Sequence, residues 1–501
     1  MKILLLHIIA LFFLSCSSSD GARDDSVAPD VTEENTTTTV TEENTTVVFR
    51  VEVPQITPDD EFICIIFNDG DDPKKMDSDG AYRWKIDLNS TTITTSQYKY
   101  CRNCECGAAD EYLGLRGVSW RDNNTPFEDA TLYEDRVSRW RWLDENLTSI
   151  EINTSTYLSQ KPDINKTNYI SGVGLNDWWS HEWLASMEVT LQKASDDLGV
   201  KWIQIIPVPQ IKNINDPDNL EIDPYGINGM SDADLNATID YAHSQGLKVF
   251  LNPSPWSFEA DNSDTNHTQE WWDSYLNAIE PVLLHYAKIA QEKSVEMLEV
   301  RAWHNIDALT AQEALKMEDN ASILLQNIKE VYGGKIAIQS ICYDADRPIL
   351  NIHRDADYLM INIWQFYPWA FATNDDANVS VMRNKLQGDI DNCQNYYKDN
   401  NISVPVVIEQ LAIASFNGAI NHEDIEGIDS FHEDNESYIL DLQEQADSYE
   451  AIYQVIANEE WIEGGFVFTY FFWDSIGKDI NIRGKKPIEE EIKKWHGWLN
   501  I

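Results

Sequence analysis

The chain is 501 residues long and carries 85 acidic against 37 basic side chains, a formal net charge of −48. So negative a surface argues against nucleic acid or an anionic lipid surface as a partner, because it would repel the phosphates of both.

Met1-Lys2 precedes an apolar run over residues 3–14 that is too short to cross a bilayer as a stable helix. It reads as an export signal. Phe13-Leu-Ser-Cys16, followed by Ser-Ser-Ser-Asp-Gly, resembles a bacterial lipobox. The resemblance implies a signal peptide over residues 1–15, a lipid on Cys16, and an exported lipoprotein held at the outer membrane or cell surface. No later stretch is apolar enough to cross a membrane, so the membrane contact expected is that anchor alone. Residues 16–46 form a tether. Its repeat, Thr32-Glu-Glu-Asn-Thr-Thr37 and Thr41-Glu-Glu-Asn-Thr-Thr46, has nothing to pack and is expected to stay disordered.

Residues 47–145 read as a small all-β sandwich domain. Val47-Val-Phe-Arg-Val-Glu-Val53 and Tyr82-Arg-Trp-Lys-Ile-Asp-Leu88 alternate, and Phe62-Ile-Cys-Ile-Ile-Phe67 has the composition of a core strand. The strand with Trp84, then Tyr98-Lys-Tyr100, Val118-Ser-Trp120 and Arg139-Trp-Arg-Trp142, resembles in its order the starch-binding β-sandwich modules. The resemblance implies a carbohydrate-binding module with exposed aromatic faces, although the same rings would serve to fill a sandwich core. Cys64 with Cys101-Arg-Asn-Cys104-Glu-Cys106 suits disulfides in an oxidising compartment or a zinc site. With no second Cys-x-x-Cys and no His nearby, disulfides are the expectation. Cys342 and Cys393 are expected to be isolated.

Over residues 165–501, short apolar runs alternate with amphipathic segments. The runs cover 169–175, 202–207, 248–253, 295–301, 336–342, 358–364, 404–409 and 465–473, which makes eight. Helices are expected over 231–245, 271–293, 321–331 and 437–458. Strands buried on both faces read as continuous apolar runs, and this alternation predicts a (β/α)8 TIM barrel, an α/β fold. Functional residues of such barrels gather at the C-terminal ends of the strands. Val404-Pro-Val-Val-Ile-Glu409 delivers a carboxylate to one of those ends.

Ser231-Asp-Ala-Asp-Leu235, Ala242-His-Ser-Gln-Gly-Leu-Lys-Val-Phe-Leu-Asn-Pro253, Pro405-Val-Val-Ile-Glu409 and Gly464-Gly-Phe-Val-Phe468 together resemble clan A glycoside hydrolases, most of all the family 113 β-mannanases. The resemblance covers residues 168–498. It implies retaining hydrolysis of a β-linked, mannan-like polysaccharide or oligosaccharide, no cofactor and no metal, with Glu409 as nucleophile. The 18 Trp and 21 Tyr residues suit such a partner.

The chemistry needs a second carboxyl group about 5–5.5 Å from the first, and the family places it at the end of strand four. That stretch reads Ser294-Val-Glu-Met-Leu-Glu-Val-Arg-Ala-Trp-His304, and the register puts Trp303 where the acid/base Glu belongs. Glu299 shares that face but is expected to lie about 13 Å deeper, which sets it aside. His304 and Asp307 are the candidates for proton transfer or for support of the site, with Glu259, Asp261 and Asp474 after strands three and eight. Asn176, Trp178, Trp256, Trp303, Trp364, Tyr367 and Trp473 are the candidates for sugar contact, with Asn252 and Asn362 beside them to bond hydroxyl groups. Two classes of function stay open: a surface glycoside hydrolase, and a non-catalytic glycan-binding lipoprotein whose barrel has lost its acid.

Overall fold

Period-two alternation in Thr46–Glu52 turns Val47, Phe49 and Val51 to one side, where all three are fully buried. The computed structural model describes residues 46–499 apart from 69–71, 107–108, 114–119, 125–126, 128–130, 142, 144–149, 164–165, 167, 176–178, 180, 227–228, 260–266, 303–309, 343–347, 365–377, 422–437 and 473–477. The expected export signal, Cys16 and all of the tether but Thr46 lie outside the described residues. Among the described residues no helix is long and apolar enough to cross a membrane.

The N-terminal region forms two four-stranded sheets. One has the order Asp77–Ser78, Arg83–Asn89, Thr46–Glu52, Leu132–Arg136, and the other Lys74–Lys75, Ile63–Phe67, Gln97–Arg102, Arg121–Asp122. Phe49 packs edge-on to Phe67 and Tyr98 with ring centroids 5.5 and 5.4 Å apart. Tyr98, Tyr100 and Trp140 are buried in the same cluster, and both tyrosine hydroxyls donate to Asp135. Of the two readings of these rings, sugar contact and core filling, the second therefore holds for Tyr98, Tyr100 and Trp140. Trp84 is half-buried against it, and Trp142 lies outside the described residues. The cysteines pair as Cys64–Cys104 and Cys101–Cys106.

A buried ionic cluster ties this region to the barrel. Glu61 accepts from Arg102 at 2.8 Å and from Arg483 at 3.3 Å, and all three side chains are fully buried. Arg483 also donates to Thr190, and Ser186 donates to Glu105. Residues 45–501 accordingly form one compact unit. Glu61→Ala removes the carboxylate between two buried guanidinium groups and is expected to destabilise the protein by roughly 3–5 kcal/mol. Urea unfolding checks this: an unchanged midpoint would show that the cluster does not hold the two parts together.

All eight expected barrel strands are present, as Ile170–Leu175, Trp202–Ile205, Lys248–Leu251, Met297–Glu299, Lys335–Gln339, Tyr358–Trp364, Val406–Ala412 and Ile462–Tyr470. They run parallel and close into a barrel in chain order. The helices that follow them in turn are Leu184–Leu198, Asp232–Ser244, Gln269–Lys293, Ala311–Val331, Asn351–Asp355, Val379–Asp399, Leu442–Ile456 and Lys486–Leu499. The fourth begins at Ala311 rather than at 321, because Thr310 and Glu313 form a reciprocal capping pair there.

The lower barrel interior is an apolar plug of Ile170, Trp202, Phe250, Met297, Ala337, Met360, Val407 and Phe466. Gly172 makes room for it, since a Cβ there would sit 2.2 Å from the Phe466 ring. Cys342 and Cys393, expected to be isolated, form a disulfide. The helix after strand six packs against the residues that follow strand five, where Tyr397 donates to Ser340, and this brings the two Cα atoms to 4.7 Å.

Candidate active site

Two residues beyond the plug, the inward positions of strands two to seven change character together. Trp202, Phe250, Met297, Ala337, Met360 and Val407 give way to Gln204, Asn252, Glu299, Gln339, Asn362 and Glu409. A polar layer thus lies on an apolar floor. Buried polar atoms are normally paired. In this layer both amide atoms of Gln204, the Oδ1 atoms of Asn252 and Asn362, and Oε2 of Glu409 have no partner among the described residues.

Glu409 reaches this layer through an irregularity of strand seven. The strand does not stop at 409 as expected but runs on to Ala412. Ile408 pairs with Ile361 and Gln410 with Asn362, so Glu409 is the extra residue of a β-bulge. Bulges re-aim a side chain and are common beside active sites. The Glu409 carboxylate is 1% exposed and its two oxygens are differently treated. Oε1 accepts from Asn252 Nδ2 at 2.7 Å and from Arg301 Nη2 at 2.9 Å.

Arg301 is shared. Its Nη2 also donates to Glu299, 3.1 Å from Oε1 and 3.3 Å from Oε2, and its Nη1 donates to Ser254 Oγ at 2.7 Å. One guanidinium nitrogen therefore joins two carboxyl groups. Burial pushes the Glu299 carboxyl up to about 8, against the pull of Arg301 and with a further push from Glu409. Burial works to lower the Arg301 guanidinium, but Glu299 and Glu409 outweigh it and hold it above its ordinary value. Burial and Glu409 thus favour the protonated form of Glu299, against the pull of Arg301.

The expectation that Glu299 lies too deep is overturned. Strand four pairs with strand three only through Leu298 and with strand five through Glu299. Glu299 is thus the last rung of its ladder, and Arg301 folds back across it. Arg301 and Ser254 were not among the sequence candidates. The signal in the sequence was a polar residue within each of six successive apolar runs, although the runs do not reveal that these residues point inward.

Of the expected sugar contacts, Trp256 is 54% exposed beyond strand three. Trp364 is half-buried at the end of strand six, stacked on Phe468 with centroids 6.1 Å apart. Asn176, Trp178, Trp303, His304, Asp307, Tyr367 and Trp473 lie outside the described residues, as do Asp261 and Asp474. Glu259 accepts from the Asn213 backbone at 2.9 Å.

The pattern of Glycoside Hydrolase Family 113 matches residues 174–478. A GH113 beta-1,4-mannanase structure is similar to this one at 19% identity, over 66% of this chain and 99% of its own, with a TM-score of 0.50. The GH113 beta-mannanase AaManA from Alicyclobacillus acidocaldarius, in complex with ManMIm, is similar at 15% identity, over 66% of this chain and 98% of its own, with a TM-score of 0.52. At these identities the likeness shows the barrel fold. No curated protein matches the chain.

Proposed function

The chain belongs to glycoside hydrolase family 113, and from that premise we propose that it hydrolyses a β-linked polysaccharide of mannan type by a retaining mechanism, with Glu409 as the nucleophile. The observation that carries this is the divided carboxylate: Oε1 is held by Asn252 and Arg301 while Oε2 has no partner among the described residues. Two donors on Oε1 fix the orientation of the group and leave Oε2 to attack.

In the first step Glu409 Oε2 forms an ester bond to the anomeric carbon, and the glycosidic C–O bond breaks with its electron pair going to the leaving oxygen. That oxygen takes up a proton. In the second step water attacks the same carbon, the ester bond breaks, and a proton leaves the water. Asn252 and Arg301 stay on Oε1 throughout, so charge returning to the carboxylate as the ester breaks is met by donors already in place. Glu299 is an unsuitable proton donor because both its oxygens are turned to Arg301. We assign the donor to the stretch after strand four, where the sequence supplies His304 and Asp307. We further propose that a lipid on Cys16 tethers the barrel at the cell surface, where polymeric substrate arrives.

A fluorinated mannoside that slows the second step is expected to trap the ester on the peptide containing Glu409, seen as a mass increase after digestion. Proton NMR of fresh product is expected to show the anomer of the substrate. A label on another carboxyl group, or the opposite anomer, would overturn the assignment.

A further inference from the structure

We propose that the short sheet continuing strands two and three beyond the barrel is a second glycan-contact surface, on which Trp256 and Phe258 receive sugar units of an extended β-linked polysaccharide. The inference rests on the functional reading above and extends it outward from Glu409.

Its origin is a proline pattern. Strand three continues as Asn252-Pro-Ser-Pro-Trp256 and strand two as Pro207-Val-Pro209. The backbone N–H groups of Asn252, Ser254 and Trp256 donate to the carbonyls of Ile205, Pro207 and Pro209, each at 2.9 Å. Successive donors on one side of a parallel strand are two residues apart, so Pro253 and Pro255 fall on the positions that would have donated to strand four. Proline cannot donate, and pairing between strands three and four ends at Leu298. Strands two and three therefore run on together where strand four has let go.

Beyond the barrel this ladder becomes a three-stranded sheet of Glu221–Asp223, Gln210–Lys212 and Trp256–Ser257. Ile211 is buried in the barrel's hydrophobic core and Ile222 packs against it. Gln210 is paired beside both Trp256 and Asp223, so the three share the opposite face. Asn252, Ser254 and Trp256 are successive residues of one strand face. Asn252 bonds Glu409, Ser254 bonds Arg301, and Trp256 lies roughly 13 Å of ladder from Asn252. The surface is continuous with the site, more than one sugar unit away from it.

Trp256 is the one tryptophan among the described residues that is more than a third exposed, and Phe258, two residues on, is 53% exposed. Large aromatics left in water next to a polar edge are the informative kind of exposure. The apolar face of a pyranose ring covers such a ring, while Gln210 offers an amide to its hydroxyls beside Asp223, whose carboxylate accepts from Lys212 at 2.7 Å.

The test uses the full chain carrying Glu409→Gln, so that polymer is not consumed, in native gels containing soluble mannan or another β-linked glycan from a panel. Adding Trp256→Ala and Phe258→Ala is expected to weaken retardation about tenfold for the polymer and progressively less as calorimetry is repeated with shorter oligosaccharides. Trp256→Phe is expected to restore part of the loss. An equal loss at every length, no loss, or no retardation by any glycan would overturn the proposal. Failure of the Glu409 assignment is read separately, from the trapped peptide.

Discussion

Glu409→Gln is expected to lower turnover of polysaccharide by about 10⁴-fold or more while leaving glycan binding in place. The amide has the size of the carboxylate, and its oxygen can still accept from Asn252 and Arg301, which hold Oε1 at 2.7 and 2.9 Å. Its nitrogen then takes the place of Oε2, and its lone pair is delocalised into the carbonyl and does not attack. Glu409→Ala is expected to be equally inactive but to form a glycosyl azide when azide is added, since the deleted side chain leaves room for a small anion. The leaving group separates the two classes of function. A missing proton donor costs about 10²–10⁴-fold on ordinary glycosides and little on aryl mannosides whose leaving group needs no proton. Turnover of the aryl substrate that disappears in Glu409→Gln identifies a hydrolase, whatever supplies the proton. Glycan binding with no turnover of either substrate by the native chain would make the barrel a receptor, the reading that Trp303 at the expected acid position favours.

The eight strands were legible because a parallel strand covered on both faces leaves an uninterrupted apolar run. The same property hid the polar layer. Where both faces are apolar, a run does not say which residues point inward, so the step from Met297 to Glu299 or from Val407 to Glu409 had no visible phase. The bulge at Glu409 depends on its pairing with strand six and has no local signature in Val406–Ala412. Strand four shows the limit most clearly. Residues 295–301 form one run in the sequence, yet the ladder ends at Glu299, and depth counted from Trp303 made a neighbour of the site look remote. The Cys342–Cys393 disulfide was hidden for a related reason, since it depends on how a helix packs across the barrel and not on spacing. In the sandwich, alternation showed that Tyr98 and Tyr100 share a face but not that this face is the core.

Arg301→Met is expected to reduce kcat by about 10²–10³-fold, the scale for losing one preorganised donor, with a smaller change in KM. The variant leaves two buried carboxyl groups without the guanidinium that joins them, so its folding is checked by thermal unfolding, and Glu299→Gln supplies the test that does not depend on that outcome. Burial holds the Glu299 carboxyl up to about 8, against an ordinary value of 4.5. Between those values the folded protein binds a proton that the unfolded chain has released. The stability this group contributes is therefore complete at the acid end and is lost as pH rises through about 8. Above that point Glu299 is charged and competes with Glu409 for the same Nη2 atom, so kcat is expected to fall along an alkaline limb near 8. The other titratable group acting on Arg301, Tyr275, is held by burial far above its ordinary range and stays neutral through this window. Glutamine matches protonated Glu299 in shape and charge. Glu299→Gln is thus expected to keep near-native turnover at pH 7, to lose the limb near 8, and to show a flatter dependence of stability on pH. A residue that merely filled space would leave the limb where it was, and an unchanged alkaline limb in Glu299→Gln would remove Glu299 from the control of Arg301.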